Sequence, residues 1–194
     1  MSNKGKGLNV AVIGVFAAVV VVLQLISAFV KIGSFPLTLT LIPIVLGAVL
    51  YGPKVGAALG AVFGAVVVIC CFTGLDAGGS ILIQANPVLT TVICMAKGIL
   101  AGLLPGFMFK AVGKSKPYLG TVLSAAVAPI GNTGLFLICM LVFFKDILVG
   151  WADGSSTVYY IFTGLIGWNF LIEMAVNIIA APMLYRVSRA VKRI

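Results

Sequence analysis

The chain has 194 residues, 62% of them hydrophobic and only 9% charged, with a mean hydropathy of +1.25. Soluble domains carry roughly 45–50% apolar and about 25% charged residues, so the composition excludes a soluble globular protein and a disordered chain, and leaves one integral membrane domain over 1–194. Thirteen Lys and Arg stand against four Asp and Glu, a formal charge of +9, and the meaning of that excess lies in where along the chain it falls.

A bilayer core is crossed by about 20 apolar residues per helix, range roughly 17–25. Six runs meet that length: 8–30, 35–51, 54–73, 87–109, 118–144 and 158–185. The predicted fold class is all-α, a polytopic membrane protein built as a six-transmembrane-helix bundle.

The first run is too long for a signal-peptide core and reads as a retained helix. It carries Gly7, Ala11, Gly14 and Ala18 at spacings of 4, 3 and 4, a small-residue stripe on one helical face, with Gln24 nearer its end. Such a stripe lets another helix backbone approach closely, either inside the bundle or from a partner protein. The second run lies between Pro36 and Pro53 and contains Pro43, which predicts a kinked or tilted segment. The third carries Gly52, Gly56, Gly60 and Gly64, one groove read as internal packing.

The connection 74–86 follows, with Gly74, Gly78 and Gly79. Gln84 and Asn86 sit at the start of the fourth run, and Lys97 lies about ten residues into it, near mid-depth at ~1.5 Å per residue. The fifth run places Asn132 and Thr133 at mid-depth. After the connection 145–157, the sixth run carries Trp168 and then Asn169, Glu173 and Asn177 at i, i+4 and i+8, one polar row on one face. The glycine-rich connections 74–86 and 145–157 share one side and predict a site that opens there under movable segments.

An even number of spans puts both termini on one side. That side holds Lys4, Lys6, Lys54, Lys110, Lys114, Lys116, Arg186, Arg189, Lys192 and Arg193, against Lys31 and Lys145 on the other. By the positive-inside rule the termini are cytoplasmic, in the cell membrane. The basic excess is therefore topological: the partner it indicates is the lipid bilayer, and no nucleic acid.

Catalytic patterns are missing. The sequence has no His, no G-x-x-x-x-G-K-[ST] and no G-x-S-x-G. Cys70, Cys71, Cys94 and Cys139 all fall within apolar runs and read as small buried hydrophobes rather than metal ligands. The expectation is a protein that is not an enzyme and holds no cofactor and no metal.

Polar groups within spans are costly and are functional candidates by default. Gln84, Asn86, Lys97, Asn132, Thr133, Asn169, Glu173 and Trp168 are the candidate substrate-binding set. Amides offer both donors and acceptors, which suits a vitamin-like solute carrying carbonyl and hydroxyl groups. Trp151, Tyr159, Tyr160 and Phe162 offer either a stacking wall or an interfacial aromatic belt. Lys97 and Glu173 either meet the ligand or pair with each other as an interhelical clamp.

The stretch Phe35-Pro36-Leu37-Thr38-Leu39-Thr40-Leu41-Ile42-Pro43, the turn Leu50-Tyr51-Gly52-Pro53-Lys54-Val55-Gly56, the segment Pro129-Ile130-Gly131-Asn132-Thr133-Gly134 and the Asn169/Glu173/Asn177 row resemble the substrate-binding S components of energy-coupling-factor (ECF) vitamin transporters. The resemblance covers essentially the whole chain. It implies a vitamin held between the outer halves of the helices, with 31–36 and 74–86 closing over it. It implies partners as well: an ECF transmembrane coupling subunit and two cytoplasmic ATPases, beside which the S component topples to release its vitamin inward. The small-residue motif that touches the coupling subunit maps onto Gly7, Ala11, Gly14 and Ala18, with Gly14-xxx-Ala18 in place of Ala-xxx-Ala. The general appearance is pantothenate-type, with Lys97 meeting a carboxylate. If Glu173 neutralises Lys97, riboflavin or another neutral solute fits equally. An alternative from a different class is a self-sufficient, ion-coupled small carrier acting as a homodimer.

Overall fold

The computed structural model describes residues 3–27, 29, 31–32, 35–36, 38–152, 156 and 167–192; the side chains of 3–10, 31–36, 167–169 and 192 lie outside that description. The order of elements is α1 (Asn3–Ser27), β1 (Lys31–Ile32), β2 (Phe35–Pro36), α2 (Leu41–Tyr51), α3 (Pro53–Thr73), α4 (Ala77–Ala85), α5 (Pro87–Val112), α6 (Pro117–Pro129), a π-helical turn (Ile130–Gly134), α7 (Leu135–Phe143), α8 (Lys145–Trp151) and α9 (Gly167–Lys192). The strands form one short antiparallel pair, with Lys31 opposite Pro36 and Ile32 opposite Phe35.

The protein is an all-α polytopic membrane protein. Among the described residues, four helical stretches are long and apolar enough to cross a bilayer: α3, α5, the rod from Pro117 to Phe143, and Phe170–Val191 of α9. Ala11–Ser27 and α2 are shorter apolar helices. The expected span 35–51 is helical only over Leu41–Tyr51, because its first residues form β2 and a turn. Pro43 falls in the first turn of α2, where an N–H has no intrahelical partner, so it needs no kink. The connections expected as plain loops hold α4 and α8. Asp76 caps α4 by accepting from the Gly79 N–H at 3.0 Å, and Asn86 caps α5 by accepting from the Leu89 N–H at 3.0 Å.

The core is organised by glycine. Gly56, Gly60 and Gly64 on α3 face Gly98 and Gly102 on α5, and Gly106 faces Pro53. A Cβ at Gly56 or Gly60 would meet the carbonyl oxygen of Gly102 or Gly98, so the two backbones touch directly. The stripe read from α3 is thus internal packing, with one correction. Gly52 is not part of it but makes the turn between α2 and α3, at a φ of +92° that favours glycine. Around this seam Leu41, Val45, Leu59, Phe63, Val67, Ala101, Ala128 and Leu184 form the main core. Leu82, Ile93, Met140, Phe144 and Leu148 form a second core beneath α4 and α8.

Pro129 and the π-helical turn interrupt the rod from Pro117 to Phe143. A π turn inserts one extra residue and re-aims the side chains next to it. Asn132, within this turn, is buried.

Candidate substrate cavity

A cavity lies at the end of the bundle that carries α4. The ends of several elements converge on it: Gln24 from α1, Thr38 ahead of α2, Phe63, Val67 and Cys71 from α3, and Asp76, Gly79 and Leu82 at α4. Thr90, Ile93, Cys94 and Lys97 come from α5, Asn132 and Thr133 from the π turn, Phe136, Cys139 and Met140 from α7, and Phe170 and Glu173 from α9. Its walls are aromatic and aliphatic, and a few polar groups converge in it, which is the usual build of a small-molecule site.

Lys97 holds its ammonium 5.0 Å from the centre of the Phe136 ring, a cation–π distance. Among the described residues no ion pair joins it to Glu173. Glu173, only 4% exposed, is instead held by neutral donors. The Thr38 N–H donates to its Oε1 at 3.0 Å and the Thr133 hydroxyl to its Oε2 at 3.4 Å. One turn on, the Asn177 side-chain amide donates to the Glu173 carbonyl at 2.8 Å. Asn132 is buried, and among the described residues its Oδ1 accepts no hydrogen bond. A buried carbonyl without a donor is costly, and one on a cavity wall offers an acceptor to an occupant.

Of the residues singled out from sequence, Lys97, Asn132, Thr133 and Glu173 come together here. Gln84 and Asn86 do not line this cavity: both are exposed, Gln84 on α4 and Asn86 as the cap of α5. α4 folds as a helix where a loop was expected, and it is Thr90, one turn into α5, that reaches the cavity, its hydroxyl bound to the Leu82 carbonyl at 2.9 Å. The side chains of Trp168 and Asn169, and all of Tyr159, Tyr160 and Phe162, lie outside the described residues. Trp151 packs on the second core instead. The described aromatic wall is Phe63, Phe136, Phe144 and Phe170.

Thr38, Asp76, Thr90 and the cysteine pair Cys71 and Cys94 were missed as wall residues. Thr38 carried one available signal, its place in the Phe35–Pro43 stretch. Gln24, noted as the polar residue of the first run, joins the wall through a hydrogen bond at 2.9 Å, its Oε1 accepting from the Thr40 hydroxyl.

The stripe on α1 points away from this site. Ala11, Gly14 and Ala18 are exposed, and nothing lies within 4 Å of where a Gly14 Cβ would be. Ile13, Phe16, Ala17 and Val20 face the bundle instead. The side-chain position of Gly7 lies outside the described residues.

Residues 8–185 match the family described as ECF transporter, substrate-specific component. The chain belongs to that family. Among curated proteins, the pantothenic acid transporter PanT of Lactococcus lactis subsp. cremoris (strain MG1363) is 28% identical over 188 residues, covering 91% of each chain. The family and this relative are transporter components, so this substrate-specific component is a transport subunit and not an enzyme.

Proposed function

We propose that the chain captures pantothenate and delivers it to an ATP-driven ECF module made of a transmembrane coupling subunit and two cytoplasmic ATPases. The observation that carries the substrate is Lys97: a cation on the cavity wall, without an ion-pair partner among the described residues. An anionic solute supplies that partner, and pantothenate carries one carboxylate. Its hydroxyl and amide N–H groups are donors for the open Asn132 Oδ1. The likeness to a pantothenic acid transporter supports the same substrate. Thr133 neighbours these groups, and Asn169 lies four residues before Glu173 on α9, on the same helical face. Trp168 beside it completes the proposed set.

The exposed Ala11, Gly14 and Ala18, with Gly7 in register, form the proposed contact with the coupling subunit. The termini are proposed to be cytoplasmic in the cell membrane, from the ten-to-two count of basic residues. A reporter fused after Ile194 tests this, and activity on the outer side overturns it.

The deciding experiment compares pantothenate with pantothenol, which has an alcohol in place of the carboxylate, on the wild-type chain and on Lys97→Gln. The wild type is expected to favour pantothenate by about tenfold or more, the scale of one charge-assisted hydrogen bond. Lys97→Gln is expected to bring the two ligands close to equal. Equal binding by the wild type, or preference for riboflavin, overturns pantothenate. Uptake by the purified chain alone in liposomes overturns the ECF reading in favour of a self-sufficient carrier.

A further inference from the structure

Glu173 is a carboxylate buried inside an apolar bundle, with no cation in ion-pair contact among the described residues. Such a group is expensive to keep, and its hydrogen bonds show what it holds. Its Oε1 takes the backbone N–H of Thr38 at 3.0 Å, across 135 positions of sequence. Thr38 belongs to the short non-helical segment between β2 and α2, and it lines the cavity. The same segment is tied a second time. Thr40 stands at the N-cap of α2, yet its hydroxyl makes no cap; it donates to Gln24 on α1 at 2.9 Å. Both of these hydrogen bonds, one from the Thr38 backbone and one from the Thr40 side chain, therefore run to other helices rather than to α2.

We infer that Glu173 is a positioning residue, a latch whose carboxylate holds the segment around Thr38 against the cavity, rather than a group that contacts the cargo. The inference rests on reading the cavity as the cargo site. Thr38 offers Glu173 a backbone N–H, which a cysteine at position 38 keeps, and the Thr38 hydroxyl adds to the same tie. The Thr133 hydroxyl, at 3.4 Å from Oε2, steadies the carboxylate from the π turn. What the latch needs from Glu173 is an acceptor oxygen and not a negative charge. A glutamine supplies that oxygen to the Thr38 N–H, and its amide can donate to the Thr133 oxygen, which both donates and accepts. A group that holds the wall of a filled cavity acts on release. A group that touches the cargo through its charge is sensitive to loss of that charge.

The test measures pantothenate association and dissociation on the full chain in nanodiscs for Glu173→Ala and Glu173→Gln. Glu173→Ala is expected to speed dissociation by about tenfold or more, with association changed by less than about threefold. Glu173→Gln is expected to stay within about threefold of wild type in both rates. In parallel, Thr38→Cys is labelled with a membrane-impermeant maleimide in ligand-free protein, with the chain lacking the added cysteine as blank. Labelling is expected to be slow with Glu or Gln at 173 and about tenfold faster with Ala. Should Glu173→Ala fail to fold, Thr38→Pro deletes the same hydrogen bond from the other side and is expected to give the same fast release. Glutamine behaving like alanine in the binding rates overturns the latch and makes the charge a cargo contact. Labelling that is unchanged by Glu173→Ala overturns it too. If the wild type binds no pantothenate, the substrate reading fails while the ligand-free labelling still decides the latch.

Discussion

Gly60 of α3 and Gly98 of α5 meet backbone to backbone: a Cβ placed on either would run into the carbonyl oxygen of the other. In an open helix interior, Gly→Ala gains roughly 0.5–1 kcal/mol. Here the obstacle is backbone, which cannot swing aside as a flexible side chain does. Overpacking of this kind costs about 1–3 kcal/mol, so Gly60→Ala and Gly98→Ala are each expected to lower thermal stability in detergent. Gly14→Ala, where nothing lies within 4 Å of the new Cβ, is the control and is expected to leave the unfolding midpoint unchanged or raised.

Asn132 separates binding from folding. Its Oδ1 has no partner among the described residues, so Asn132→Ala removes a buried acceptor that the described fold does not use. The ligand-free chain is expected to keep nearly the wild-type unfolding temperature. Pantothenate affinity is expected to fall by about 0.5–1.5 kcal/mol, the worth of one hydrogen bond. Titration calorimetry and a thermal shift on the same samples check both halves. A large loss of stability with unchanged affinity would make Asn132 structural.

Thr40 and Gln24 are both buried, and their side chains satisfy each other at 2.9 Å. Thr40→Val keeps the shape and removes the donor, which leaves the Gln24 oxygen stranded. The expected cost is about 1–3 kcal/mol, above that of the hydrogen bond alone, because an unpaired buried acceptor carries its full desolvation penalty. Replacing both residues, Thr40→Val with Gln24→Met, is expected to recover part of the loss. Additive losses in this double-mutant cycle would show that the two side chains act independently.

Gly14→Leu and Ala18→Leu place bulk on the exposed face of α1. Surface changes away from packed features stay within about 0.5 kcal/mol, so stability and pantothenate binding by the isolated chain are expected to hold. ATP-dependent uptake in cells carrying the whole transporter is expected to be lost, because a close helix contact tolerates no large side chain. Normal uptake by both variants would remove this face as the coupling surface.

The membrane class and the places of the long apolar helices were legible in the amino-acid sequence. Each depends on how apolar and charged residues are distributed along one dimension, and a bilayer reads that distribution directly. The groove on α3 was legible too, since a spacing of four puts Gly56, Gly60 and Gly64 on one face whatever they pack against. That Gly98 and Gly102 of α5 fill it was decided only when the two helices were set side by side. Depth along a helix follows from residue count, but which way a side chain points, and what it meets there, depends on distant segments. Gln84 and Asn86 stood at the start of the fourth run, yet both are exposed, one on α4 and one at the cap of α5, and Thr90 reached the cavity. Lys97 and Glu173 had opposite charges at similar depth, and sequence left open whether they pair. In the fold, Glu173 takes its hydrogen bonds from Thr38 and Thr133 and Lys97 lies over Phe136. Hydrogen bonds and ion pairs fall off within a few ångströms, and only the tertiary structure sets distances of that size.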